Sequence, residues 1–575
     1  MNLVSSLAPW SAHRSCLSSI SSPPTVRGVA LAVALLVGGL SAVPAPVLAQ
    51  AGLPDAGLLR QDPAPPPTPK RPQDLSRPED PRLAQEAKGV EGRRVVLTQV
   101  VVEGSTVIPD EAWEQRLSPL PEEGLTLRQM RALAEQVQGA VQEAGRPLAV
   151  AFLPPQDLSE GILRIQVVEG RYGQVASQGP LASEAAGWMA PLKPGLPIGP
   201  ELERQMLLLS ELPGVRAQAT LSPGAAVGDA DVSVDIHPGP TWGGELRVDN
   251  HGNRYAGRNR VVGNVYVNRL LVLGDQLTVA AGTGDEGGGQ AQLGYGLPLG
   301  AQGMRLDLTT GFSRYELGRE FDILGASGKV STVSGTLTVP LQVTQRRRVS
   351  WSSGLQAQQI SNRQALFEIE DRRSALAWVN TLQGAQWLSG GGAMWGRVSA
   401  ETGRVRIKDH LSQEIDALTA QTAGGYLLLG MDVAMLKPIG DWQIFGRVAG
   451  QVGNRNLDPS RKWVLGGPNG VRAWPTSEGS GDDGALAQME VRRQWGVFQP
   501  FLFVDAGRVQ INHQPWVEGR NSRTLSGAGL GLRVNKGAWA VQSTAGWRLG
   551  PDRNAPQSDP GANAVQFWLT VGYQL

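Results

Sequence analysis

The last eleven residues, "VQFWLTVGYQL" (565–575), place Val565, Phe567, Leu569, Val571, Tyr573 and Leu575 at every second position, and Gln566, Thr570, Gly572 and Gln574 fill most of the others. A period of two marks a strand whose two faces differ. One face can meet lipid and the other a wet lumen. A soluble β-sandwich gives the same alternation, but its solvent face normally carries more charge. From Trp242 onward strand follows strand, among them "RVVGNVYVNRLL", "DQLTVAAGTG", "GMRLDLTTGFSRY", "STVSGTLTVPL", "FQPFLFVDAGRV" and "AWAVQSTAGWRL", joined by Gly-, Asn- and Asp-rich breaks. Each is read as about ten residues, the length a tilted strand needs to cross a bilayer. Dividing residues 240–575 into units of about 21 residues, strand plus connection, gives about sixteen strands closing a transmembrane barrel.

Composition narrows the rest. The 575 residues carry 53 Lys and Arg against 52 Asp and Glu, a net charge of +1, with no basic or acidic tail. That balance argues against a nucleic-acid-binding surface. The one long apolar run, "GVALAVALLVGGLSAVPAPVLAQ" (28–50), follows Arg27 and ends with Val47 and Ala49 at small-residue positions before Gln50. It reads as a secretory signal peptide over residues 1–49. The stretch ahead of it is long, so either the signal is extended or translation starts after Met1. The only cysteine, Cys16, falls in this removable part, and a mature chain without it has no disulfide framework. Residues 50–93 are proline-rich and read as an extended linker, with a short helix from Asp55 to Gln61 as a candidate pore plug.

Two small α/β units follow, 94–170 and 171–239. The first offers a strand at "VVLTQVVVEGSTVI" (95–108), an amphipathic helix at "LTLRQMRALAEQVQGAVQEAG" (125–145) with Thr126 as its cap, and a strand at "ILRIQVVEG" (162–170). The second offers a helix at 199–214 and strands at 215–224 and 230–239. Each reads as a helix pair on a short sheet.

This order of signal, linker, two α/β repeats and barrel resembles the outer-membrane transporters of two-partner secretion systems, the TpsB class, which are relatives of the barrel-assembly insertases. The repeats resemble POTRA domains. "LPPQDLSEGILRIQVVEG" (153–170) is similar to the close of the family's first POTRA domain, with Pro155, Gln156 and Asp157 in a turn. "LERQMLLLSELPGV" is similar to the second domain's helix and exit, and "VDNHGNRYAGRNR" (248–260) to the family's entry into the first barrel hairpin. "GVRAW", that is Gly470, Val471, Arg472, Ala473 and Trp474, stands where the family carries Val-Arg-Gly-Tyr at the tip of a long sixth extracellular loop that folds back into the barrel. "FVDAGRV" (503–509) resembles the family's Phe-x-Asp-x-Gly strand motif, here Phe503, Asp505 and Gly507. Ala473 and Trp474 depart from the usual glycine and tyrosine, and Leu575 from the usual terminal phenylalanine.

The resemblance implies that Asp505 faces the lumen and partners Arg472, a pair that anchors the loop. An arginine in a narrow lumen loses water and needs a carboxylate in good geometry. The resemblance also implies periplasmic POTRA domains and an unfolded, exported TpsA-like partner with an N-terminal secretion domain. Outer-membrane lipid and the barrel-assembly machinery are the further partners. A POTRA sheet edge can accept an extended chain as an added strand. The Pro155–Asp157 turn is read first as structural and second as part of a substrate region. No phosphate loop, Gly-x-Ser-x-Gly elbow or His-Glu-x-x-His site is found, and the five histidines are scattered. The sequence therefore suggests no enzyme, cofactor or metal, and the acidic stretches "EIEDRR" and "GSGDDG" read as solvated loops rather than calcium sites. The expected function is export of the partner without nucleotide hydrolysis. An assembly insertase is the alternative, though it usually carries more repeats, and a passive porin is less favoured because it explains neither the repeats nor the paired motifs.

Overall fold

The computed structural model describes Asp55, residues 67–69, 92–554 and 556–575. The signal peptide, Cys16 and most of the linker, including the helix suggested up to Gln61, lie outside the described residues. Sixteen antiparallel strands close a barrel in which every strand but the first and last pairs with its sequence neighbours. The first, Trp242–Asp249, meets the last, Val565–Gln574, through the register Asp249 to Thr570 and Glu245 to Gln574. Alternation sets the faces. Val565, Phe567, Leu569, Tyr573 and Leu575 point outward and exposed, while Trp568 is buried on the lumen side.

Strand length differs from the ten residues expected. Strands Ala326–Val343, Arg347–Gln364 and Ile369–Trp387 have 18, 18 and 19 residues. At about 3.3 Å per residue they extend well beyond a bilayer crossing. Their outer halves are rich in Ser, Gln, Asn and Arg, so apolar contrast fades there while the pairing continues unbroken.

Ahead of the barrel stand two POTRA units. In the first, strand order is Gln99–Glu103, Ile162–Val168, Val150–Phe152, covered by helices Asp110–Leu117 and Leu127–Glu143. The expected strand over 95–108 is broken. Arg94–Val95 pairs with Leu125–Thr126, and only Gln99–Glu103 joins the sheet, because Gly104 takes a left-handed φ of 88° and ends the extended run. Thr126 caps the second helix in a reciprocal box with Gln129. Met130, Ala134, Val137 and Val141 share its buried face. In the second unit the helix Pro200–Ser210 is shorter than the 199–214 expected, since the Leu-Pro-Gly exit leaves it early. Strands Val215–Pro223 and Asp229–Pro238 pair as a hairpin, the sheet gains a strand, Arg171–Gln178, and the second helix of the expected pair is Ala182–Met189, which the sequence pattern did not locate.

The second unit sits directly on the barrel's near end. Leu273 and Ala301 of two barrel turns and Val343 at the end of a barrel strand join the core built around Leu208, Leu209 and Leu212. Glu203 accepts the N–H of Gln345, Glu211 pairs with Arg348, and Arg204 donates to Gln302 O at 3.2 Å.

Candidate functional site: a loop tip folded into the barrel

Residues 454–482 join the eleventh and twelfth barrel strands, Trp442–Gly453 and Asp483–Arg493, and run inward. A short hairpin, Trp463–Val464 with Ser480–Gly481, forms the stem. The tip curls beyond it. Val471 N–H donates to Leu465 O at 2.8 Å and Trp474 N–H to Val471 O at 3.0 Å. Gly470 is required by close approach, since a Cβ there would stand 1.9 Å from Leu465 O. Leu465, Val471, Ala473 and Trp474 pack with Leu486, Val509 and Leu525 of the wall, so the tip has an apolar core of its own.

Arg472 lies at the centre, 4% exposed, against Asp505 at 0%. Its Nε and Nη2 donate to Asp505 Oδ2 and Oδ1 at 2.8 and 2.7 Å, and its backbone N–H donates to Oδ2 at 3.0 Å. Nη1 reaches Glu490, and the guanidinium lies 3.9 Å above the Phe503 ring centroid. The indole of Trp568 donates to Arg472 O at 2.7 Å. Two carboxylates and a ring face thus take up a side chain that water would otherwise solvate.

The wall explains the unusual tip residues. A Cβ on Gly527 would stand 2.2 Å from Ala473 Cβ, and one on Gly546 would stand 2.9 Å from Ala473 Cα. Two wall glycines therefore make room for the Ala473 methyl. Trp474 is fully buried, donates to Ser526 O at 2.9 Å and lies 5.6 Å from the guanidinium carbons of both Arg523 and Arg548. Gly507 faces Leu465, whose Cδ1 would be 2.4 Å from an added Cβ.

Sequence reasoning missed much of the cradle. Glu490 also accepts from Arg492 Nε at 2.7 Å and Arg533 Nη2 at 3.1 Å. Arg447 pairs bidentately with Asp432 at 2.9 Å and donates to Asn469 O at 2.8 Å, while Gln488 donates to Gly470 O at 2.8 Å. On the return limb, Glu478 takes Arg523 Nη2 at 2.7 Å through one oxygen. Its other oxygen takes the N–H groups of Gln557 and Ser558, each at 2.8 Å. In the 248–260 entry, Asn253 donates to Ser477 Oγ at 3.0 Å, and His251 O accepts from Thr476 Oγ1 at 2.8 Å.

The solvated reading is corrected for "GSGDDG", while "EIEDRR" stays partly exposed and ion-paired. Asp482 is fully buried against Lys462 Nζ at 2.7 Å, and Asp483 meets His513 Nδ1 at 2.8 Å. Glu370 pairs with Arg372 at 2.6 Å and Asp371 with Arg373. Among the described residues no group of three or more His, Cys, Asp or Glu is arranged to hold a metal. Asp55 touches the barrel wall, accepting from Asn362 Nδ2 at 2.7 Å, with Arg373 Nη1 at 3.4 Å.

Pro155, Gln156 and Asp157 lie about the first POTRA sheet, far along the chain from the tip. Gln156 Oε1 accepts Arg164 N–H at 2.7 Å and its Nε2 donates to Arg164 O at 2.8 Å, while Asp157 accepts Ser159 N–H at 3.0 Å. Gln156 therefore mimics a strand beside Ile162–Val168, beyond the reach of the short strand Val150–Phe152, which pairs only from Gln166 onward.

A sixteen-stranded barrel with a preceding pair of POTRA domains and an inward-folded sixth loop defines an outer-membrane transporter with its POTRA domains in the periplasm. The family model for haemolysin secretion/activation proteins ShlB/FhaC/HecB matches residues 228–534, more than half of the chain, and the ShlB-type POTRA model matches 95–170. The chain belongs to this two-partner secretion family. The heme/hemopexin transporter protein HuxB of Haemophilus influenzae is 24% identical over 470 residues, covering 78% of this chain and 81% of the relative. The outer membrane transporter CdiB of Dickeya dadantii is 23% identical over 458 residues, covering 74% and 77%. The solved structure of CdiB from Escherichia coli superposes with a TM-score of 0.66 at 20% identity, over 97% of this chain and 100% of that one.

Proposed function

We propose that this protein receives one unfolded, exported partner protein in the periplasm and passes it through the barrel to the cell surface without nucleotide hydrolysis. The observation that carries the reading is the loop tip seated on Asp505 and Glu490 inside the lumen, beyond a second POTRA domain docked on the near end. The edge strands Gln99–Glu103 and Val215–Pro223 offer main-chain pairing to an extended chain, which tolerates many cargo sequences. Gln156 already occupies part of the central strand's second side, so the Pro155–Asp157 turn supports the sheet and leaves the Gln99–Glu103 edge for cargo. The Arg472–Asp505 pair anchors the loop. Folding of the cargo outside makes return unfavourable and supplies the direction. The relatives are named as transporters, HuxB for heme/hemopexin, which is consistent with a transport role.

The test is secretion of a partner protein that carries an N-terminal secretion domain, sought among the neighbouring genes. Deleting this chain is expected to strand the partner in the periplasm, and secretion that persists after deletion would overturn the proposal.

A further inference from the structure

The turn between the second and third barrel strands, Arg260–Asn268 and Gln276–Gly284, presents three consecutive apolar side chains. Leu270, Leu271 and Val272 are all exposed, Leu271 at 76%. Water-facing turns ordinarily carry polar residues, so such a tip asks for a partner. Its shape is fixed from within. Asp275, fully buried, accepts the N–H of Leu270, Leu271 and Val272 at 2.6, 2.8 and 3.0 Å and the Tyr295 hydroxyl at 2.6 Å. The next residue faces elsewhere. Leu273 is buried in the core of the second POTRA domain, and Gly274 lies so close that an added Cβ would stand 2.8 Å from Leu212 Cδ2.

The surroundings select the occupant. Val267, two residues before the turn, pairs with Trp242, which is exposed. Leu575 N–H donates to Gly244 O at 2.9 Å beside it, and Leu575 is exposed. Tyr573 and Trp539 follow, also exposed and packed edge to face at 4.8 Å. The tip therefore continues an aromatic and aliphatic rim across the joint of first and last strands. Such girdles mark the level at which barrels meet lipid headgroups. The three backbone donors that a strand from another protein would need are already held by Asp275.

We propose that Leu270, Leu271 and Val272 insert into the headgroup region of the periplasmic leaflet of the outer membrane. The turn then works as a two-sided bracket, lipid on Leu271 and the second POTRA domain on Leu273. It fixes the attitude of that domain to the membrane beneath the pore.

The test is Leu271→Cys in a Cys16→Ser background, labelled with an environment-sensitive fluorophore and placed in phosphatidylethanolamine and phosphatidylglycerol nanodiscs. Val227→Cys, exposed on the second POTRA domain, is the water-facing control. Heat-modifiable gel migration shows that each barrel is folded. The expected result is a blue-shifted emission at Leu271, quenched by lipids bearing headgroup-level nitroxides, with loss of the iodide quenching seen at Val227. Iodide quenching at Leu271 equal to that at Val227 would overturn the proposal. Protection from iodide without nitroxide quenching would also overturn it, because a protein surface, a second copy included, would then be the cover.

Discussion

Asp505 holds Arg472 by side chain and backbone at once: its two oxygens receive Nη2 and Nε at 2.7 and 2.8 Å, and one of them also takes the backbone N–H of the same residue at 3.0 Å. The contact therefore fixes both the guanidinium and the curl of the chain that carries it. Lysine supplies one point charge where this site uses a planar fork, so Arg472→Lys is expected to release the tip nearly as fully as Arg472→Ala. Removing one partner of a buried pair costs about 3–5 kcal/mol. Protease cleavage within residues 454–482 on whole cells reads the release.

The two acceptors of Arg472 are not equivalent. Without Arg472, Glu490 keeps Arg492 and Arg533, whereas Asp505 has no other ion pair among the described residues. Arg472→Met should then be relieved by Asp505→Asn, which removes the stranded charge, and much less by Glu490→Gln. Thermal unfolding of the three variants, compared as a double-mutant cycle, checks the order. Equal relief from both partners would contradict the asymmetry.

Ala473 and its wall glycines make a size-exchange experiment. A methyl added at Gly527 would meet the Ala473 Cβ at 2.2 Å. Gly527→Ala is expected to destabilise the seated tip by about 1–3 kcal/mol, the usual range for overpacking. Ala473→Gly in the same chain vacates the contested space and should restore loop protection. Failure of that rescue would mean that the wall, rather than the tip, responds to the added methyl.

These contacts show why some of the site was legible in sequence and some was not. Period-two alternation exposed the barrel, because lipid on one side and a lumen on the other impose opposite chemistries on adjacent residues. It blurred in the long strands, where Ala326–Val343 alternates Val with Ser, Thr and Gly and both faces become mild. Arg472 and Asp505 stood out because each lies in a glycine-containing motif. Glu490 did not, though it shares lumen parity with Gln488. Its place opposite Phe503, next to the Gln488–Asp505 pair, depends on the register set by the turn around Gln494–Val497. Trp568 was hidden similarly, as one indole on the polar side of the last strand. Helix Ala182–Met189 has eight residues and no side-chain cap, so neither period nor punctuation announced it.

Glu478 joins two loops through opposite oxygens, Arg523 on one and the backbone of Gln557 and Ser558 on the other. Glu478→Gln keeps the shape but loses the charge and one acceptor. It should loosen the 550–564 loop while leaving the Arg472 contacts in place. Hydrogen exchange of the full chain in detergent is expected to rise at Gln557 and Ser558 and to stay unchanged at Val471 and Trp474. A rise at all four positions would make the two clips a single cooperative unit.

The first POTRA domain carries a pH-dependent tie. Burial would raise the Glu169 pKa, but the hydroxyl and N–H of Thr106 and the guanidinium of Arg146 outweigh it and hold the carboxyl below its ordinary 4.5. A carboxylate with a lowered folded pKa stabilises the fold above its unfolded value and loses that contribution as pH falls through the folded one. Protection of strands Gln99–Glu103 and Ile162–Val168 from hydrogen exchange, corrected for intrinsic rates, should therefore hold steady between about pH 8 and 6 and decline below about pH 4. Glu169→Gln keeps an acceptor for Thr106, cannot titrate and lacks the charge that Arg146 faces. It should start from lower protection at neutral pH and show a shallower fall in acid. An acid profile identical to that of the parent chain would place the titrating group elsewhere in the domain.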